Sequence, residues 1–242
     1  MSFTHGSKAK IYGNGYNLSY YLRSVQAPST IDTAETSTFG NLHKTYIQGL
    51  RDGSFSADGI YDGSAGAVGE IFNNALSSTS NDIFTLCVQG DTLASPAYGF
   101  ESTTTNVQIT TGVGDVAQIT LQGQNNMGSE RGWIIHPLTQ EVADGNGTGV
   151  DMTAVSTTTG WSAYLQITQA AATLTSVTLE DSADNAAWVP LTGGSFTTLT
   201  AVSSQRIVSA VGATVRRYVR VAWNLTTNAT FHVVFIRGSN PA

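Results

Sequence analysis

Short runs of β-branched and aromatic residues recur through the first 145 residues, separated by clusters of Gly, Asn and Asp. They are AKIY (residues 9–12), LSYYL (18–22), SFSADGIY (54–61), IFTLCV (83–88), VAQITLQG (116–123) and GWIIHPL (132–138). Runs of this length between turn-forming clusters predict antiparallel strands. One segment has a different period. In residues 66–78, GAVGEIFNNALSS, the apolar Val68, Ile71, Phe72, Ala75 and Leu76 fall at i, i+3, i+4, i+7 and i+8. That spacing predicts a single amphipathic helix whose apolar stripe lies over an edge or face of the sheet.

Further along, the period is two. Trp161, Ala163, Leu165 and Ile167 share one face of their run, as do Val219, Val221 and Trp223, and Phe231, Val233 and Phe235. No helical period interrupts them, so an all-β sandwich of about seven short strands is expected, with Trp161 and Trp188 in its core. Between the two regions, residues 140–160 are rich in Gly, Thr and Asp and read as a linker. The expected organisation is therefore mainly β: a β-sandwich or barrel with one flanking helix over residues 1–145, then a second β-sandwich over residues 146–242, divided near Asn146.

Charge sharpens that division. The chain has 242 residues, with 11 Lys and Arg against 17 Asp and Glu, a formal net charge of −6. Residues 1–149 hold 6 basic and 13 acidic groups, whereas residues 150–242 hold 5 and 4. Charged residues make up 12% and hydrophobic ones 40%, which excludes a disordered polyelectrolyte. No run approaches the roughly 18 apolar residues of a membrane span, and MSFTHGSKAK lacks the apolar core of a signal peptide, so a protein that remains in the cytoplasm where it is made is expected. Cys87 is the sole cysteine; an intrachain disulfide and a C-x-x-C site are excluded, and its apolar setting predicts a small buried hydrophobe.

The segment at residues 28–49, PSTIDTAETSTFGNLHKTYIQG, favours extended backbone yet is polar on both faces, with Ile31, Phe39, Leu42 and Ile47 as scattered anchors. Such a strand pair cannot build a core of its own. A two-sided polar ribbon has exposed edges that a neighbouring subunit can satisfy, so an arm reaching to another copy is expected.

Catalytic and ligand signatures are poor. Gly13-Asn14-Gly15 lacks the third glycine of a dinucleotide loop and predicts a tight hairpin turn. His5, His43, His136 and His232 have no metal-ligand spacing partners, with His232 expected opposite a core face. Asp181-Ser182-Ala183-Asp184-Asn185 offers oxygens for Ca²⁺ or for a β turn; without the central Gly and distal Glu of an EF-hand loop, the turn is favoured. Asp52, Asp58 and Asp62 alternate along a strand and its turn, as a solvated or lumen-facing row would. Arg216, Arg217 and Arg220 form the densest basic cluster, expected to make ion pairs rather than track phosphates. No catalytic residue, metal or cofactor is expected.

As an ordered set, the residues at 6–63 resemble the N-terminal part of major tail (tail tube) proteins of long-tailed bacteriophages. The matching elements are Asn17-Leu18-Ser19, Glu35-Thr36-Ser37-Thr38-Phe39-Gly40, the run from Lys44 to Asp52 (KTYIQGLRD) and Gly59-Ile60-Tyr61-Asp62-Gly63. The later region is similar to a C-terminal β domain of related phage virion proteins, through YLQIT, LEDSADN before Trp188 and VRRYVRVAW. The resemblance implies a structural, non-enzymatic virion protein: a tail tube subunit forming stacked hexameric rings around a channel, with genome DNA present only in transit. Tape-measure and tail-terminator proteins are the implied partners, with assembly in the bacterial host cytoplasm and no membrane. It also implies an arm bridging rings, with Glu35 and Lys44 facing neighbours and Phe39, Tyr46 and Ile47 anchoring it. The acidic first region would then line the channel and repel the DNA backbone. The alternative is a capsid decoration (cement) protein, a trimer on the major capsid protein using the same arm.

Overall fold

The computed structural model describes residues 5–40, 42–153, 157–169, 174–197 and 201–238. Asn41 of the expected arm and residues 154–156 of the expected linker lie outside them. In chain order the strands are β1 (Lys10–Gly13), β2 (Tyr16–Asn17), β3 (Leu22–Gln26), β4 (Ser29–Glu35), β5 (Tyr46–Ile60), β6 (Asp82–Cys87), β7 (Pro96–Thr110), β8 (Gln118–Asn125), β9 (Glu130–Glu141), β10 (Gly145–Asn146), β11 (Val150–Asp151), β12 (Trp161–Ile167), β13 (Leu174–Ser182), β14 (Val189–Ser195), β15 (Ser203–Val208), β16 (Tyr218–Leu225) and β17 (Ala229–Arg237). The helix α1 (Val68–Ser77) precedes β6. The fold is mainly β with a single α-helix among the described residues.

Contacts gather the chain into two compact units. A sandwich unit comprises Met1–Tyr20, Ile83–Gly99 and Glu130–Ala242, and an arm unit comprises Tyr21–Asp82 and Phe100–Ser129. This interleaved division differs from the linear boundary near Asn146. The reason is strand pairing at a distance: β9, which lies before that boundary, pairs along its length with β17 at the end of the chain.

In the sandwich unit one sheet runs β15-β12-β17-β9, extended by Pro96–Gly99 of β7 beside β9. The other runs β10-β16-β13-β14, with β11 also on β16. Their inward faces share a core containing Trp161, Leu165, Phe231, Phe235, Val177, Val219 and Trp223, the residues that the period of two put on one face. Burying each large apolar side chain stabilises by about 1.5–3 kcal/mol. The other face of β12 and β17 is buried too, because Tyr164, Val234 and Ile236 join Tyr12, Cys87, Ala97 and Ile134 in a second cluster. His232 therefore has no exposed surface, although its place opposite a core face suggested solvent.

Asn14 and Gly15 both have positive φ, 51° and 82°, and link β1 to β2 in the two-residue turn whose twist suits a hairpin. The expected linker contributes backbone to the second sheet: Gly145–Asn146 and Val150–Asp151 both pair with β16. A Cβ at Gly145 would stand 2.7 Å from the Trp223 ring, so this strand approaches the core only because glycine is there.

In the arm unit, β5 pairs with β4 over its first half and with β3 over its second, while β8 lies on its other side and β7 continues from β8. Phe55 and Ala57 point inward and Ser54 and Asp58 outward, with Phe55 and Phe100 ring centroids 5.0 Å apart. The helix buries Val68, Ile71, Phe72 and Ala75. Leu76 is exposed, since it lies one step around the last turn from Ala75, outside the buried stripe. Residues 18–20 form a short 3-10 turn rather than the start of a strand.

Candidate assembly interface

The arm is a two-stranded ribbon. β4 and the start of β5 pair from Ser29↔Gly53 to Glu35↔Tyr46, with a bulge between Ile31 and Thr33. Thr and Ile favour the extended backbone, and the bulge strengthens the local twist. Beyond the strands, the Thr36 amide donates to the Thr45 carbonyl at 2.8 Å and the Thr45 amide to Ser37 Oγ at 3.0 Å. Every residue of β4 is exposed. Ile31, Phe39, Leu42, Tyr46, Ile47 and Leu50 all carry exposed apolar surface, Phe39 completely. A run of large apolar side chains on a ribbon with no core beneath it marks an interaction surface. Of the five interface residues expected from sequence, Phe39, Tyr46 and Ile47 stand free. Glu35 and Lys44 are exposed too and meet each other across the ribbon, with Lys44 Nζ donating to Glu35 Oε2 at 3.0 Å.

Next to the arm, the outward face of the arm unit's sheet is a lattice of neutral and acidic side chains. Thr120 Oγ1 donates to Asp58 Oδ1 at 2.7 Å, Gln124 Nε2 to Asp52 Oδ1 at 2.6 Å, and Asn106 Nδ2 to Gln122 Oε1 at 3.2 Å. Asp52 and Asp58 thus share a face, while Asp62 lies past the strand end and accepts from the Ser64 amide. That amide holds the Asp62 carboxyl below the ordinary range.

The sandwich unit settles its charges internally. Arg206 pairs with Glu130 at 3.2 Å, Arg216 with Asp181 at 2.5 Å, Arg217 with Asp151 at 2.7 Å and Arg220 with Glu180 at 2.7 Å. The basic cluster therefore makes ion pairs within the chain. Arg217 brings the Asp151 carboxyl down to about 2. Asp184 accepts from the amides of Ala187 and Ala186 and from the Ser182 hydroxyl, which also lowers it to about 2. The DSADN segment is thus turn chemistry. Trp161 is core as expected, but Trp188 is half-buried, with the Arg220 guanidinium 4.4 Å above its ring.

One buried group escaped sequence reasoning. Cys87 Sγ lies 3.7 Å from His232 Nε2, and His232 Nδ1 lies 3.2 Å from Asp91 Oδ1. Asp91 Oδ2 accepts from the Tyr12 hydroxyl and the Leu138 amide, both at 2.7 Å. Burial pushes the Asp91 carboxyl up, but the adjacent His232 and these two donors outweigh it and leave a net lowering. Thiol, imidazole and carboxylate in series are the groups of a nucleophilic triad. Here Cys87 and His232 are sealed, and burial drives the thiol well above its ordinary range, so no thiolate is offered to a substrate. One ligand atom from each of Cys87, Asp91 and His232 lies within 4.8 Å of the others, a spacing at which the three could hold a metal ion. The group ties β1, β6, β9 and β17 together. Its members stand at positions 87, 91 and 232, a separation that no local motif encodes.

No family model matches the sequence, and no curated protein matches it. Among solved structures, the SPP1 tail tube is similar with a TM-score of 0.45 and 12% identity, over 53% of this chain and 78% of that chain. A chain of the native gene transfer agent virion is similar with a TM-score of 0.44 and 11% identity, over 53% and 98%. The SPP1 Dit protein, described as a hub adsorption apparatus, is similar over 94% of this chain and 98% of its own, with a TM-score of 0.40 and 12% identity. These neighbours are components of phage tails and phage-like particles.

Proposed function

We propose that the chain is a structural subunit of a phage tail and forms the hexameric rings of the tail tube. The arm carries this reading. An isolated two-stranded ribbon is marginal in water, and this one presents Phe39, Leu42, Tyr46, Ile47 and Leu50 to solvent. A neighbouring copy would cover those side chains and satisfy the open strand edge. Phe39, Tyr46 and Ile47 are the residues buried against the neighbour, and the Glu35–Lys44 pair holds the ribbon in register for docking. The Asp52 and Asp58 face lines the channel, where its charge repels DNA phosphates and lets the genome pass without sticking. Tape-measure and tail-terminator proteins complete the set of partners, and the subunit reaches the virion after assembly in the host cytoplasm.

Negative-stain electron microscopy of the full-length protein across a concentration series tests this. Stacked hexameric rings or hollow tubes are expected. Rings that never stack would remove the tube while keeping the ring, and trimers or monomers at every concentration would overturn the reading.

A further inference from the structure

The outward face of the second sheet in the sandwich unit is not a plain solvated surface. Its cross-strand rows have unequal height. In the middle row Asn146, Ala222 and Thr178 lie side by side on β10, β16 and β13. Arg220 and Glu180 stand on one side, and Asn224 and Ser176 on the other. Ala222, the smallest side chain among them, lies beside the tall Arg220–Glu180 row, and the face holds an open trough of about 340 Å³. That volume falls at the lower end of small-ligand sites, which span about 300–1,000 Å³.

We infer that this trough binds a neutral glycan, on the order of one or two sugar residues. Its chemistry narrows the choice of ligand. Glu180 is neutralised by Arg220 at 2.7 Å, and Asp144 at the rim accepts from the Leu225 amide at 2.8 Å. Among the described residues no free cation faces the trough to hold an anion, and its acidic groups are already engaged. The hydroxyls and amides of Ser176, Thr178, Asn146 and Asn224 provide both donors and acceptors at a spacing set by the strands. Asn224 Nδ2 donates to Ser176 Oγ at 3.0 Å, whereas Asn146 makes no side-chain hydrogen bond among the described residues. Pro190 and Ala222 also line the trough and suit the apolar C–H face of a sugar ring. A peptide adding as a strand is disfavoured, because β13 and β16 are paired on both sides and offer no free backbone edge.

The test uses the full-length chain on an array of neutral and N-acetylated oligosaccharides, followed by calorimetry and tryptophan fluorescence with any that bind. Trp188, stacked under the Arg220 that pairs with Glu180, should report occupancy. Ala222→Trp, which fills the trough from its outward face, should abolish binding. Should that variant fail to fold by circular dichroism, the Asn146→Ala/Asn224→Ala double variant should weaken binding about tenfold or more. Silence across the array, binding restricted to sulfated glycans or peptides, or affinity unchanged in the folded variants would each overturn the assignment.

Discussion

The two units share strand chemistry but differ in how they handle charge. The sandwich unit holds 8 basic and 8 acidic side chains, whereas the arm unit holds 3 and 9, so the entire net charge of −6 belongs to the arm unit. Four arginines of the sandwich unit are spent on carboxylates of the same unit. In the arm unit, Asp52 and Asp58 bond to neutral Gln124 and Thr120 and keep their field. One unit is electrostatically closed; the other leaves both charge and apolar surface uncompensated. In the ring proposed above, that imbalance is what the subunit would offer its neighbours and its channel.

Removing residues 29–44 should have the largest effect: a folded protein that no longer assembles. Sedimentation velocity checks it, and assembly that survives the deletion would break the comparison. Replacing Phe39 and Ile47 together by Asp should reproduce the loss without shortening the chain. Next in size is Asp181→Ala. Asp181 is buried and takes the Arg216 amide, Nε and guanidinium, so its loss strands a half-buried cation and should cost about 2–3 kcal/mol in chemical denaturation.

Acid should act on the sandwich unit in a similar range. Burial lowers the His136 imidazole to about 4, whereas the unfolded chain protonates near 6.5. A depressed value means the unfolded state binds the proton first. Stability is therefore complete above about pH 6.5 and falls by up to about 3 kcal/mol as pH drops to about 4. Asp91, also depressed, adds its loss only below about pH 4. Thermal melts of the parent and His136→Phe across this range should show the first slope only in the parent. The smallest effect is expected from Asp52→Asn with Asp58→Asn. Both sites are exposed, so stability should change by less than about 0.5 kcal/mol; in assembled tubes, retention of added duplex DNA should rise.

Much of this architecture is legible in the chain. The helix at residues 66–78 and the strands of the sandwich core announce themselves because each buries a regular set of apolar side chains. The arm is legible for the opposite reason, since no face of residues 28–49 could form a core. β7 was not, because its inward positions include Ser102 and Thr104, which are buried through bonds to the Gln124 carbonyl and Asp82; a hydroxyl satisfied by a distant partner looks like a solvated one. The interleaved units, the Glu35–Lys44 pair, and the Cys87, His232 and Asp91 group all depend on which segments meet, and local composition carries no record of that. Trp188, expected in the core together with Trp161, has no such alternating run around it, and the Arg220 guanidinium lies over its ring.

The position of β17 bears on how the protein is made. β17 sits between β12 and β9 in its sheet, contributing Phe231, Val233 and Phe235 to the shared core. The sandwich unit thus cannot close while residues 229–237 remain inside the ribosome, and a prematurely terminated chain lacks a central strand rather than an edge. Folding of this unit therefore waits until residues 229–237 have left the ribosome. A chain truncated before residue 229 would be open and protease-sensitive. Proteolysis of ribosome-bound chains of increasing length, with protection appearing only once residues 229–237 are outside the ribosome, would establish that order.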